Sequence, residues 1–201
     1  MTIALRCRCG QVQGRIDPAG IHARATCYCR DCRAYARYLA RPGLLDAAGG
    51  TDVVAMAPGA LHIDAGVDQL ACMSLGPRGL LRWYAGCCRT PLASMSRNAR
   101  MYYASVPVAC LDAPAQALDA TLGPPGRIVF APDSATAPVR ATRLRLPGVV
   151  ARIGLHALVA RLRGRCVGAP FFDPDGRPSR APEGPSMQQR AQLERDPDAA
   201  R

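Results

Sequence analysis

Lysine is absent from this chain of 201 residues: all 26 basic residues are arginine, and against 15 acidic ones they give a formal net charge of +11. Such an excess would suit a nucleic-acid partner. Yet aromatics make up only 5% of the chain, with one Trp and three Phe, and they do not interleave with the arginines as a base-stacking platform requires. The sequence is also loaded with Ala, Gly and Pro, so its arginines reflect a GC-rich coding sequence as much as a surface, and nucleic-acid binding is not expected. No apolar run approaches the length that crosses a bilayer. The opening MTIALRCRCGQVQGRI starts directly with structure-like sequence and carries no charged, apolar and small-residue leader, so the expected compartment is the cytoplasm. A glycine-rich phosphate loop, a Ser-His-Asp order and an internal repeat are all lacking. His22, His62 and His156 are scattered without ligand spacing and read as ordinary residues.

Cysteine, by contrast, is plentiful, with 10 in the chain. In a reducing compartment closely spaced thiols are metal ligands or reactive groups rather than disulfide partners. Cys7 and Cys9 form a C-x-C pair, Cys27, Cys29 and Cys32 a C-x-C-x-x-C, and Cys87 and Cys88 an adjacent pair. Zinc takes four tetrahedral ligands, and thiolates one to three residues apart can reach one ion because the intervening backbone folds around it. A C-x-x-C redox pair at Cys29 and Cys32 is the alternative, weakened by the lack of a surrounding β-α-β alternation. Cys110, Cys166 and Cys72 read as small buried hydrophobes.

Residues 1–135 read as one strand-rich, antiparallel, mainly β domain. Val12, Gly14 and Ile16 alternate with polar residues, and further strand candidates lie at 51–55, 61–64, 71–75, 80–84, 102–108 and 128–130. A helix is predicted from Asp31, as its cap, to about Ala40, with Tyr35, Tyr38 and Leu39 on one side. Residues 136–172 form a basic extension built around VVARIGLHALVARLR (149–163), which reads as an amphipathic helix, and no acidic residue occurs from Arg140 to Arg165. Such a helix either packs on the domain or lies on an acidic membrane surface or partner. Residues 173–201 are rich in Pro, Gly and charge and predict a largely disordered tail with a weak helix near Met187 to Arg195.

Four stretches carry a resemblance: LRCRCGQVQGRI, ATCYCRDCR, LLRWYAGCCRTPL and VACLDAP. In order and spacing they are similar to the motifs of the glutathione-dependent formaldehyde-activating enzymes, whose domain is shared with the centromere-protein-V group. The match covers about residues 3–113. It implies a β-tent fold, in which curved antiparallel sheets are clamped by a structural zinc. It places Cys7, Cys9 and Cys88 on the structural ligands and Cys27, Cys29 and Cys32 on a second, catalytic zinc. The chain departs from the pattern at Ala85, where the family carries a cysteine, leaving Cys87 or Cys72 as the fourth structural donor. Tyr28 stands for the usual histidine and Arg89 for the usual glycine.

Three thiolates leave a tetrahedral zinc one open position, the mark of a catalytic rather than a structural site. The expected function is therefore a zinc-dependent carbon–sulfur lyase or thiol–aldehyde adduct enzyme, with glutathione or another small thiol and a small aldehyde as partners. Arg30 and Arg33 are the candidate substrate-binding residues, with Arg37 one turn beyond Arg33. Asp112 more naturally fixes a turn than takes a proton. The alternative is a non-catalytic, zinc-stabilised binding module that uses the basic helix.

Overall fold

The computed structural model describes residues 2–124, 128–129 and 146–195. Among the described residues there are ten strands: β1 (Ile3–Arg6), β2 (Gln13–Ile16), β3 (Ile21–Cys27), β4 (Thr51–Met56), β5 (Leu61–Ala65), β6 (Leu70–Met73), β7 (Leu81–Ala85), β8 (Thr90–Met95), β9 (Ala104–Pro107) and β10 (Ile128–Val129). The helices are α1 (Arg30–Tyr38), α2 (Ala115–Leu122), α3 (Leu146–Leu162) and α4 (Met187–Glu194). The strands form a three-stranded sheet in the order β1-β2-β5 and a seven-stranded sheet in the order β10-β3-β4-β9-β8-β7-β6. Pairing is antiparallel throughout, except that β10 runs parallel to β3. The fold is thus mainly β.

Strand β7 explains how the layers stack. All five of its residues are buried, so both faces of the sheet are covered there. With period two, Leu81, Trp83 and Ala85 enter one core, where they meet Ile3, Leu5, Ile16 and Leu61 of the small sheet. Tyr84 faces the other way into a second cluster with Ala34 and Tyr35 of α1 and with Leu39, which caps its C-terminus. The large sheet therefore has the small sheet on one face and α1 on the other. Arg24 of β3 is buried and ties down α2: it donates to Asp52 at 2.7 Å, to Asp119 at 2.6 Å and to the Gly123 carbonyl at 2.7 Å.

The predicted helix at 31–40 is α1, but its cap is Cys29, whose sulfur accepts from the Cys32 amide, rather than Asp31. Strands β3 and β8 lie outside the strand candidates read from the sequence. The strand candidate at 128–130 is described as far as Val129, and the start of the basic extension, residues 136–145, lies outside the described residues.

The C-terminal part differs from the expected tail. Residues 166–195 pack on the domain: the Val167 amide donates to Ala99, Phe171 and Phe172 are buried in the main core, and Phe171 meets Trp83 edge-on at 5.3 Å. Glu183 then pairs in parallel alongside β6 at Met73, with the Ser74 amide donating to its carbonyl at 2.7 Å and its own amide donating to the Cys72 carbonyl. Helix α4 packs on α1, and Arg37 donates to the carbonyls of Leu193 and Arg195. The physical reason is that two aromatic side chains and a few backbone bonds suffice to dock a segment whose average composition is polar. Residues 196–201 lie outside the described residues.

Helix α3 is present near the predicted range but is not amphipathic in the ordinary sense. Leu155, Leu158 and Leu162 are exposed, at 60%, 53% and 78%. On its packed side the His156 ring lies 4.6 Å from that of His22 on β3, so two of the three scattered histidines meet. Among the described residues, no helix is long and apolar enough to cross a membrane.

Two outcomes follow from this packing. Phe171→Ala should cost about 3–5 kcal/mol, read by urea unfolding, whereas a disordered tail would give no change. Burial, His156 and Arg152 hold the His22 pKa below its ordinary value of 6.5, so His22 takes up a proton more readily in the unfolded chain. Stability linked to it is complete above pH 6.5 and declines as pH falls through the lowered native value. Melting temperatures measured across that range should show the decline in the wild type and a shallower one in His22→Phe.

Candidate metal centre and cavity

Two chain reversals bring four thiols together. After β1, the Gly10 amide donates to the Cys7 carbonyl and the Val12 amide to the Cys7 sulfur at 3.2 Å. Gly10 has a φ of 80°, a left-handed conformation that glycine adopts without a steric penalty. The second reversal joins β7 to β8, with the Cys88 and Arg89 amides both donating to the Ala85 carbonyl. Arg89 takes a φ of 56° where the resembled family has glycine, and its guanidinium rests 5.4 Å above the Tyr38 ring, a cation–π contact that offsets part of the strain.

The sulfur separations are 3.5 Å for Cys7–Cys9, 3.9 Å for Cys7–Cys87, 3.3 Å for Cys9–Cys87 and 3.9 Å for Cys87–Cys88. All four donor atoms lie within 4.8 Å of one another. Tetrahedral zinc with bonds of about 2.3 Å sets its sulfurs about 3.8 Å apart, so the cluster is compatible with a metal ion such as zinc. Cys87 takes the fourth place despite its adjacency to Cys88. Cys72 is buried elsewhere, its thiol pushed up to about 12 by burial. Burial works against ionisation of Cys88, but hydrogen bonds from the Thr90 hydroxyl and the Cys9 backbone outweigh it and bring the thiol down to about 6.

The second cluster lies on the other face of the large sheet. Cys27 ends β3, Cys29 caps α1 and Cys32 sits in its first turn, where the helix dipole favours thiolates. Their sulfurs also lie within 4.8 Å of one another, with Cys27 and Cys32 3.7 Å apart. Cys32 is the first of the three to ionise: hydrogen bonds from Cys27 and Cys29 lead, against burial, and the Arg82 guanidinium beside it adds to the pull. Cys27 is pushed well up by its two thiol neighbours and by burial.

Arg82 is the residue that sequence reasoning missed. Only 4% exposed, it projects from β7 against Cys32 and lies 5.0 Å above the Tyr35 ring. The available signal was a lone arginine inside the otherwise apolar strand LRWYA. The arginines of α1 are placed differently. Arg30 is exposed at the rim of a cavity, whereas Arg33 is buried and donates to the Tyr28 carbonyl at 2.8 Å, holding the Cys27–Cys29 loop. Tyr28 is buried too and donates to Asp46 at 2.8 Å. Asp112 donates its amide to the Ala4 carbonyl, and its carboxylate lies 3.9 Å from Arg6. Cys110 is buried as expected, while Cys166 is exposed.

The three-thiol cluster opens onto a cavity of about 740 Å³. The two clusters therefore differ in kind: four thiols in closed turns, and three beside open space. Nearby, the buried Thr51 hydroxyl has no hydrogen-bond partner among the described residues, and Thr51 lines the cavity opposite Cys27 in the β3–β4 register.

A family model described as "Family of unknown function (DUF6151)" matches residues 1–173. No functionally curated protein matches the chain. Among solved structures, a Rhodobacter sphaeroides protein, a Northeast Structural Genomics target, is 18% identical and aligns over 58% of this chain and 94% of that one with a TM-score of 0.40.

The two clusters should separate under mutation. Cys9→Ser should lower the melting temperature steeply, because the binding energy of a structural metal is folding energy. Cys29→Ser should remove one metal equivalent with only a small thermal effect. Metal analysis beside a thermal melt of each variant checks both, and equal destabilisation by the two substitutions would merge the clusters into one structural role.

Proposed function

We propose that this chain, which belongs to the family of unknown function DUF6151, is a zinc-dependent thiol–aldehyde adduct enzyme, a carbon–sulfur lyase in the reverse direction. The formaldehyde-activating type of fold and chemistry, with glutathione or another small thiol as co-substrate, is part of this proposal. One observation carries it: three thiols, rather than four, converge beside an open cavity. A zinc ion held by Cys27, Cys29 and Cys32 would supply a positive centre with one position left for an incoming sulfur.

The chain's own groups fit the rest of the task. Arg82 supplies the positive charge that an assembly of thiolates in a protein interior requires. In the forward step a sulfur–carbon bond forms and the carbonyl π pair moves to oxygen. That oxygen takes up the proton released by the thiol, giving an S-hydroxyalkyl adduct in which every atom of thiol and aldehyde is retained. Arg30 at the rim is placed to meet a charged group of a substrate. Arg33 supports the site by holding the Tyr28 carbonyl, a positioning role in place of the substrate contact expected of it.

A second reading is favoured by a different observation, the exposed leucines of α3 beside Arg152, Arg161, Arg163 and Arg165. In it the protein is a zinc-stabilised module that lies on an anionic membrane surface and catalyses nothing. Calorimetric titration with 2-mercaptoethanol decides between the two. Binding in the wild type that Cys29→Ser abolishes, with the melt little changed, supports the enzyme. No thiol binding by either protein, together with co-sedimentation with anionic vesicles, would favour the module.

A further inference from the structure

The cavity beside the three thiols has a composition of its own. Its floor is the face of the large sheet, and two transverse rows of that face can be read from the register. One runs Ala23, Ala55, Ser105, Ser94, Arg82, and the next Ala25, Val53, Pro107. Except for Arg82 these are small or short residues, and each lines the cavity. A floor of small side chains under a roof of helices leaves space that none of the described side chains fills. The roof comes from Tyr35 and Ala36 of α1 and from Val150 and Ile153 of α3.

Polar groups are few and unevenly placed. Cys27 and Thr51 face each other at one end of the β3–β4 ladder, while the other end, toward Ala23 and Ala55, is apolar. Arg82 is engaged with Cys32 and Tyr35, and the remaining charged residues of the lining, Arg30 and Asp31, belong to the first turn of α1. A buried polar group of a ligand needs a partner, and one left without it opposes binding. Beyond Ala23 and Ala55 the floor offers the hydroxyls of Ser105 and Ser94, of which Ser105 already bonds Tyr103, too few for a ligand with several charged and amide groups, whereas the thiol end presents Cys27, Cys29 and Cys32. A site of this size ordinarily takes a drug-sized molecule, far larger than a one-carbon aldehyde.

We infer that the cavity binds a thiol with an aliphatic or aromatic body, seated with its sulfur at the three-cysteine end and its apolar part between the small-residue sheet face and α3. This deepens the adduct-enzyme reading and rests on it. A charged peptide thiol such as glutathione, with two carboxylates, an ammonium group and two amides, finds too few partners along this floor to be the preferred substrate. The structure thereby gives α3 a role in specificity, as the wall that closes over the apolar body.

The test is calorimetry on the full-length, zinc-loaded protein with 1-hexanethiol, glutathione and 1-hexanol, the last carrying the same body without sulfur. The expected result is that hexanethiol binds at least about tenfold more tightly than glutathione, with hexanol binding more weakly and being displaced by hexanethiol. Ala55→Phe, which fills the floor, and Val150→Trp, which crowds the mouth from a side chain 61% exposed and so leaves the fold intact, should each weaken hexanethiol about tenfold and leave 2-mercaptoethanol unchanged. Glutathione binding as tightly as hexanethiol would overturn the apolar assignment while leaving a thiol site in place. Hexanol binding as tightly as hexanethiol, with 2-mercaptoethanol giving no heat, would overturn the thiol assignment and the adduct-enzyme reading together. No binding of hexanol or hexanethiol to the wild type would overturn the site itself.

Discussion

The meeting of Cys7 with Cys87, 80 residues apart in the chain, is the constraint on which the two-sheet arrangement depends. Each reversal passes through one left-handed residue. The first relies on a left-handed glycine and an amide-to-sulfur bond, and the second tolerates an arginine in left-handed backbone. Four sulfurs at tetrahedral spacing link the β1–β2 turn of the small sheet to the β7–β8 turn of the large one. The alternation of β7 is then set, with Trp83 toward the small sheet and Arg82 and Tyr84 toward α1. A one-residue slip in β7 would put an arginine into the apolar core and withdraw the charge from Cys32, so the first cluster determines the electrostatics of the second.

That dependence runs in one direction. Cys27, Cys29 and Cys32 lie within six residues, at the junction of β3 and α1, and their convergence is local. The helix cap made by the Cys29 sulfur and the Arg33 bond to the Tyr28 carbonyl hold the loop locally, and the Tyr28 bonds to Val129 and Asp46 and the Arg82 side chain beside Cys32 add support from further along the chain. A site that is local and open can lose or exchange what it holds without opening the sheets, which is the physical basis for separating a structural role from a chemical one in a small protein.

Much of this was legible in the sequence because thiol spacing and strand alternation are short-range signals. The three cysteine groups, the mainly β character, most strand positions and α1 are of that kind. What the sequence hid was long-range. Strand β3 ends in the thiol motif itself, so its apolar residues were overshadowed by the cysteines that follow. Arg82 is set off in the sequence only as a lone arginine in an apolar strand, in a chain that has 26 basic residues, and its burial against Cys32 is what shows its part. His22 and His156 are far apart in the chain and meet because α3 crosses β3. The docked segment after residue 165 was hidden by averaging: its composition is that of a tail, but Phe171 and Phe172 alone carry enough apolar surface to seat it beside Trp83.

The surroundings of the two clusters differ in a consistent direction. The Tyr28 side chain turns away from the thiols to Asp46, so position 28 gives the second cluster no further donor and it remains a set of three sulfurs. With alanine at position 85, Cys87 completes the four-thiol cluster in the turn whose Cys88 and Arg89 amides donate to the Ala85 carbonyl. The closed cluster thus has its donors supplied by its own turns, while the open one has α3 above the sheet face beside it, an apolar wall that residues 3–113 do not contain. Under the proposed function that division lets the three sulfurs meet the reacting end of a substrate while the wall meets its body.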